Sequence, residues 1–194
     1  MKWKRTGTTG LFLAALMLPT SIIASSARTT VTPVVTDPAG AIPAARAKAI
    51  EARLQRFAGV SGIPIVMVFP ESAPGEEEDK VPGAVMRAMS TRLGLIEHGV
   101  LVAHFPVDDD WRVWIGDELA PKFARKSGTA AELTESGAMH EAKEAWFEEI
   151  FARAESKAKS AAGAAMDARE RLALTADAIA DGLIERLSPQ SIAN

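Results

Sequence analysis

The sequence predicts an α/β fold, a mixed sheet with helices packed on it, and three observations predict it. Residues 63–70 (IPIVMVFP) are a short, continuously apolar run rich in β-branched residues, the pattern of a strand covered on both faces. Residues 99–119 hold two β-rich runs, Val100–Phe105 and Trp111–Ile115, parted by Pro106-Val107-Asp108-Asp109-Asp110, which is the chemistry of a hairpin. Apolar stripes at helical spacing stand between and after these runs, and strand, helix, then hairpin build a mixed sheet with helices laid on it.

The first 27 residues stand apart from that fold. Lys2, Lys4 and Arg5 make a basic start, Leu11 to Leu18 an apolar run, and Ser25 and Ala27 a small-residue pair. That order is a secretory signal with its cut near Ala27, which predicts an exported, periplasmic or secreted protein. Leu11 to Ala24 is only 14 residues and Pro19 interrupts it, short of the roughly 20 that a spanning helix needs. No later segment reaches the length of a transmembrane helix.

The whole chain has 194 residues, 47% of them hydrophobic, and 22 basic against 25 acidic side chains. Disorder is excluded by that apolar content. Losing residues 1–27, with Lys2, Lys4 and Arg5 among them, leaves 167 residues with 19 basic against 25 acidic, a net of −6, so no basic field points to nucleic acid. With no cysteine, the fold rests on its core alone, and thiolate-ligated zinc or iron–sulfur sites are excluded.

Along the exported part, residues 28–36 read as an extended lead. Asp37-Pro38-Ala39-Gly40 follows as a turn: Pro38 fixes φ, Gly40 permits a positive φ, and Asp37 can accept from backbone N–H groups ahead of it. A helix over about 43–58 carries Ile50, Leu54 and Phe57 at i, i+4, i+7, and Gly59 and Gly62 end it. Pro64 belongs at the entrance of the next strand. A polar loop (ESAPGEEEDK) leads to a second helix, about 81–93, with Val81, Val85, Met89 and Leu93 on one face. In the hairpin's second strand, alternation puts Trp111, Val113 and Ile115 on one face, Arg112 and Trp114 on the other. From about 120 onward the pattern is helical. Met139, Ala142, Trp146, Ile150, Phe151 and Ala154 form one stripe, and Leu172, Ala176, Ile179, Leu183 and Leu187 another. Between them SKAKSAAGAAMDARE is consistent with either a helical hairpin or one long kinked helix. The last stripe is expected to pack on the sheet domain.

The order Val35-Thr36-Asp37-Pro38-Ala39-Gly40, amphipathic helix, apolar strand, Gly99-Val100-Leu101, acidic turn, and Arg112…Ile115-Gly116 followed by Glu118-Leu119 resembles the TPM domain family, known from thylakoid-lumen, photosystem-repair and bacterial exported proteins. The resemblance covers about residues 31–125. It implies an α/β/α sandwich over a small mixed sheet, so that the chain divides into a signal (1–27), a TPM-like domain (28–125) and a helical C-terminal region (126–194). It also implies action in assembly, maintenance or repair of membrane complexes, with calcium or another divalent cation and a weak phosphatase activity associated with relatives. The chain departs from the pattern at Glu97-His98, where members often have Asp-Asn, and at Gly116-Asp117-Glu118-Leu119, where they often have Gly-x-Gly-Leu-Glu.

Asp37, Glu97, Asp117 and Glu118 stand beside ends of sheet elements, and converging carboxylates suit a hard cation such as calcium, which takes six to eight oxygens. The competing reading is that Asp37 holds its turn and the others are solvated. Asp108-Asp109-Asp110 and Glu76-Glu77-Glu78-Asp79 read as soluble charge runs without the alternation of a calcium loop. His140 and Glu144 would share a helix face, which is half of a zinc-protease pattern, but neither His98 nor His104 supplies recognisable spacing, so an exposed i,i+4 face is the plainer reading. No G-x-S-x-G elbow and no phosphate-cradling glycine loop occur. Trp111 and Trp114 read as hairpin packing, and Met86, Met89 and Met139 as core filler. The expected function is thus binding of a protein partner in the envelope or at the membrane surface, with a divalent cation as the candidate cofactor. The alternatives are a metal-assisted phosphatase on the same loops and a helical adaptor presenting residues 130–160.

Overall fold

A computed structural model of the chain describes residues 34–107, 109–161 and 166–188; the proposed signal, residues 1–27, lies outside them. Four strands form one mixed sheet in sequence order: β1 (Val35–Thr36), β2 (Ile65–Val68), β3 (Val100–Phe105) and β4 (Asp110–Ile115). β1, β2 and β3 run parallel, and β4 returns antiparallel beside β3 as a hairpin, with His104 opposite Trp111 and Val102 opposite Val113. Helices cover both faces, so the fold is α/β as the sequence predicts.

Period-two alternation sorts the side chains. Met67, Val100, Val102, Val113 and Ile115 join one buried cluster with Ile50, Leu54 and Phe57 of α1 (Ala44–Ser61). Val66, Leu101, Ala103 and Phe105 join a smaller one with Met86 of α3 (Ala84–Arg92), against which Met89 and Trp114 pack. α1 runs through Gly59 and ends at Gly62, where φ is 73°.

Two predicted elements shift. The second helix begins at Ala84 rather than 81, because Pro82-Gly83 forms a turn with Gly83 at φ 78°, and Val81 is left exposed. The acidic run expected as loop forms a short helix, α2 (Glu76–Asp79). Glu78 accepts from the Gly75 N–H at 3.1 Å, and Arg112 holds Asp79 through both guanidinium ends at 2.5 and 2.7 Å. The same guanidinium reaches Asp110 at 2.6 Å and lies 5.0 Å from the centre of the Phe105 ring. The fork geometry of arginine suits such paired carboxylate bonds.

The helical region is folded into the main core. After a short 3₁₀ turn (Asp117–Leu119) come α4 (Ala120–Ala124), α5 (Ala130–Glu135), α6 (Ala138–Ala161) and α7 (Ala168–Leu187). α6 and α7 pack along each other, and α7 also lies on α1. Met139, Trp146, Ile150 and Ala154 from α6 and Ala176, Ile179, Leu183 and Leu187 from α7 are buried in the cluster that contains the sheet residues. Arg53 binds the nearly buried Asp177 and reaches Asp181 at 3.3 Å, while Arg46 bridges to Glu170 at 3.4 Å, so charge fixes α7 on α1 as well as apolar contact. At the far end, Lys122 donates to the Leu187 carbonyl at 2.6 Å, a cation at a helix C-terminus.

β4 is an edge strand, and α6 shields it: Lys143 donates to the Val113 carbonyl at 3.0 Å. A lysine at an edge discourages pairing with another chain. Burial pushes the Lys143 ammonium pKa below its ordinary value. The unfolded chain therefore holds that proton more tightly, and the site's contribution to stability rises as pH climbs from the lowered value toward about 10.4. In parallel thermal melts, the difference between wild type and Lys143→Met should move in the wild type's favour as pH is raised through that alkaline window. A difference that stays flat would show that the ammonium is as well hydrated folded as unfolded.

Candidate functional site

In open sheets with parallel strands, ligands bind in the crevice outside the carboxyl ends. Here that end is built by the turn after β1, the hairpin after β3 and the start of α7. Asp37 accepts from the Ala41 and Ile42 N–H groups at 2.7 and 3.0 Å, and Gly40 takes φ 65° to close the turn. Arg169 donates to the Ile42 carbonyl at 3.3 Å, tying the first turn of α7 over this loop.

Beside it lies a cleft of about 650 Å³ lined chiefly by His104, Asp109, Trp111, Phe151, Arg171 and Thr175. His104 is 5% exposed, and its Nε2 is 2.7 Å from Asp109 Oδ1. The imidazole sits 4.7 Å from Trp111 and 6.0 Å from Phe69, ring centre to ring centre, and Phe69 meets Trp111 edge-on at 5.9 Å. Asp109 occupies the left-handed region, φ 51°, which a short polar side chain tolerates. With a proton on Nε2, His104 donates to Asp109 and fixes the hairpin tip against the cleft. The result is a concave wall of aromatic and aliphatic groups with a few placed polar ones, the composition of a small-ligand site.

The residues predicted from sequence are not brought to one place. Val35 pairs with Met67 and Met67 with Val102, so Asp37 falls level with His104. Glu97 lies beyond the other end of β3, past Val100, which the usual rise per residue puts roughly 13 Å back along the strand from His104. Asp117 and Glu118 belong to Glu97's end: their N–H groups bond the Ile96 and Glu97 carbonyls at 3.1 and 2.9 Å. There Glu118 Oε2 meets His98 Nδ1 at 2.9 Å. The convergence of Asp37 with Glu97, Asp117 and Glu118 is therefore corrected by topology: a turn after one parallel strand and a loop before another occupy opposite edges. Among the described residues, no group of three or more histidine, aspartate or glutamate side chains is gathered for a metal ion. Asp37 serves its turn, as in the competing reading.

The hairpin's acidic tip also has work. Asp109 pairs with His104 and Asp110 with Arg112; Asp108 lies outside the described residues. His140 and Glu144 face each other at 3.1 Å on the exposed side of α6. His104 is the residue that sequence reasoning missed. It sits in a run of apolar residues with its partner across a turn, and the signal was available in the alternation that puts it on Trp111's face.

No family model, no curated protein and no solved structure matches the chain. Among the described residues, no helix is long and apolar enough to cross a membrane.

Proposed function

We propose that the chain is an exported binding domain of the TPM type, acting by recognition in the assembly, maintenance or repair of envelope complexes. The observation that carries the binding half is the cleft at the carboxyl edge of the sheet, where buried His104 and half-buried Trp111 line a concavity. The basic, apolar and small-residue order of residues 1–27 supports export. The order of motifs from Val35 to Leu119, on a small mixed sheet, supports the family reading. A phosphatase acting through Asp37 and Glu97 together has no assembled site, because they occupy opposite sheet edges. An adaptor that offers α6 as a free arm is disfavoured because Trp146 and Ile150 are buried.

The test is photo-crosslinking in cells from two positions, Thr175 in the cleft and Lys48 on the exposed side of α1. The expected result is discrete adducts from Thr175 alone, in the envelope fraction, lost when charges replace the Leu11–Leu18 run. Retention in the cytosol with an intact leader, or equal labelling from both positions, overturns the reading.

A further inference from the structure

The proposal above makes the cleft a binding site; its lining also specifies a ligand. Arg169 and Arg171 both stand near the start of α7. Arg169 is engaged with the Ile42 carbonyl, whereas Arg171 makes no side-chain hydrogen bond or ion pair among the described residues. The acidic groups beside it are used elsewhere: Asp167 accepts from the Glu170 N–H at 2.7 Å, and Glu170 pairs with Arg46. Asp109, the carboxylate that lines the cleft, is held by His104. Thr175 stands one helical turn from Arg171 and lines the same wall, but its hydroxyl donates to the Arg171 carbonyl at 3.3 Å, so the guanidinium is the cation left to this wall. The other walls are apolar: Trp111, Phe151, Met166 and Leu172.

A guanidinium is shaped for two parallel bonds to a carboxylate, and aromatic and aliphatic walls suit an apolar body attached to it. We infer that the cleft binds a carboxylate carried on an apolar group, with Arg171 taking the anion and Trp111, Phe151 and Leu172 taking the apolar part. The inference rests on the cleft being the binding site. Two sources share this chemistry, a free apolar acid and the C-terminal residue of a peptide chain.

The test uses the exported chain, residues 28–194, titrated calorimetrically with N-acetyl-phenylalanine, with its amide, and with a pentapeptide ending in phenylalanine and a free carboxylate. The indole and imidazole signals of Trp111 and His104 are followed by NMR. The acid should bind with shifts at both rings. The neutral amide should bind roughly tenfold or more weakly, the usual worth of a charge-assisted hydrogen bond. Arg171→Gln should bring the acid down to the amide's level, and Thr175→Val, whose hydroxyl is spent on the Arg171 carbonyl, should change it little. Arg92→Gln on α3, outside the cleft, should leave binding unchanged. Arg171 is exposed, so its variant keeps the fold, which a melt verifies. Tighter binding of the pentapeptide than of the free acid assigns the source to chain ends, and the reverse assigns it to free acids; both uphold the inference. Equal affinity for acid and amide, an unaffected Arg171→Gln, or no saturable binding of either acid at millimolar concentration overturns it. Crosslinking from Thr175 is independent of these probes, so it would still report whether the cleft binds something else.

Discussion

Trp146→Ala should cost roughly 3–5 kcal/mol of folding stability, the usual range for truncating a large buried aromatic. The indole is 3% exposed, meets Phe123 edge-on at 5.6 Å and lies 4.9 Å from Phe147. It also lies under Gly182, where an added methyl group would collide with the neighbouring Ile150 side chain. Neither neighbour can close the void, because α4 and α7 are tied together by Lys122 and by Arg186, which donates to the Phe123 carbonyl at 2.7 Å. Urea denaturation, followed through the sheet as well as the helices, should show one transition moved to lower denaturant. A loss below about 1 kcal/mol, the level of a surface substitution, would mean that α6 is an appendage on an independently stable sheet domain.

Gly116→Ala is the second large effect, and its cause is different. A methyl group there would stand 2.7 Å from the Glu97 carbonyl oxygen and 2.8 Å from the Gly99 nitrogen, both backbone atoms. No side chain can swing away, so the end of β4 must lift from the loop before β3. That strains the bonds from the Gly116, Asp117 and Glu118 N–H groups to the Gly99, Ile96 and Glu97 carbonyls. Overpacking of this kind costs about 1–3 kcal/mol, and the strained bonds place the expected loss near the top of that range. Gly59→Ala provides the contrast. Nothing lies within 4 Å of the added methyl group in mid-α1, so that variant should gain up to about 1 kcal/mol from helix propensity. Opposite shifts of the two denaturation midpoints are expected. A neutral Gly116→Ala would mean that the two loops do not pack as described.

The legible parts of the sequence were those where a local pattern decides the outcome. Alternation in Trp111–Ile115 sorts Val113 and Trp114 to the two faces, and the hairpin forms between the predicted runs. Ile50, Leu54 and Phe57 at helical spacing give the buried face of α1. The Asp37 turn follows from its own side-chain chemistry. What escaped depends on partners far along the chain. Helix α2 is short and charged, and its Asp79 is held by Arg112, 33 residues away. The α6–α7 hairpin is consistent with the alanine-rich link but is decided by Gly182 letting Ile150 and Trp146 approach. The candidate metal site failed for a related reason. Proximity to strand ends says nothing about which ends, and strand direction alone separates Asp37 from Glu97. The cleft was hidden because it joins β3, β4, α6 and α7, four elements that only the folded chain assembles.

The bond between Arg53 and Asp177 spans 124 residues, and α7 packs on α1. A chain being synthesised from its amino end thus lacks the α7 side of this contact until residues 168–187 have emerged. Non-local contacts of this kind delay folding, since the loop must close before the contact repays it. The main core of the nascent protein is consequently unfinished until Leu187 has emerged. A chain cut before α7 never leaves that state, and a surface destined for the interior stays open to chaperones, proteases and its own copies.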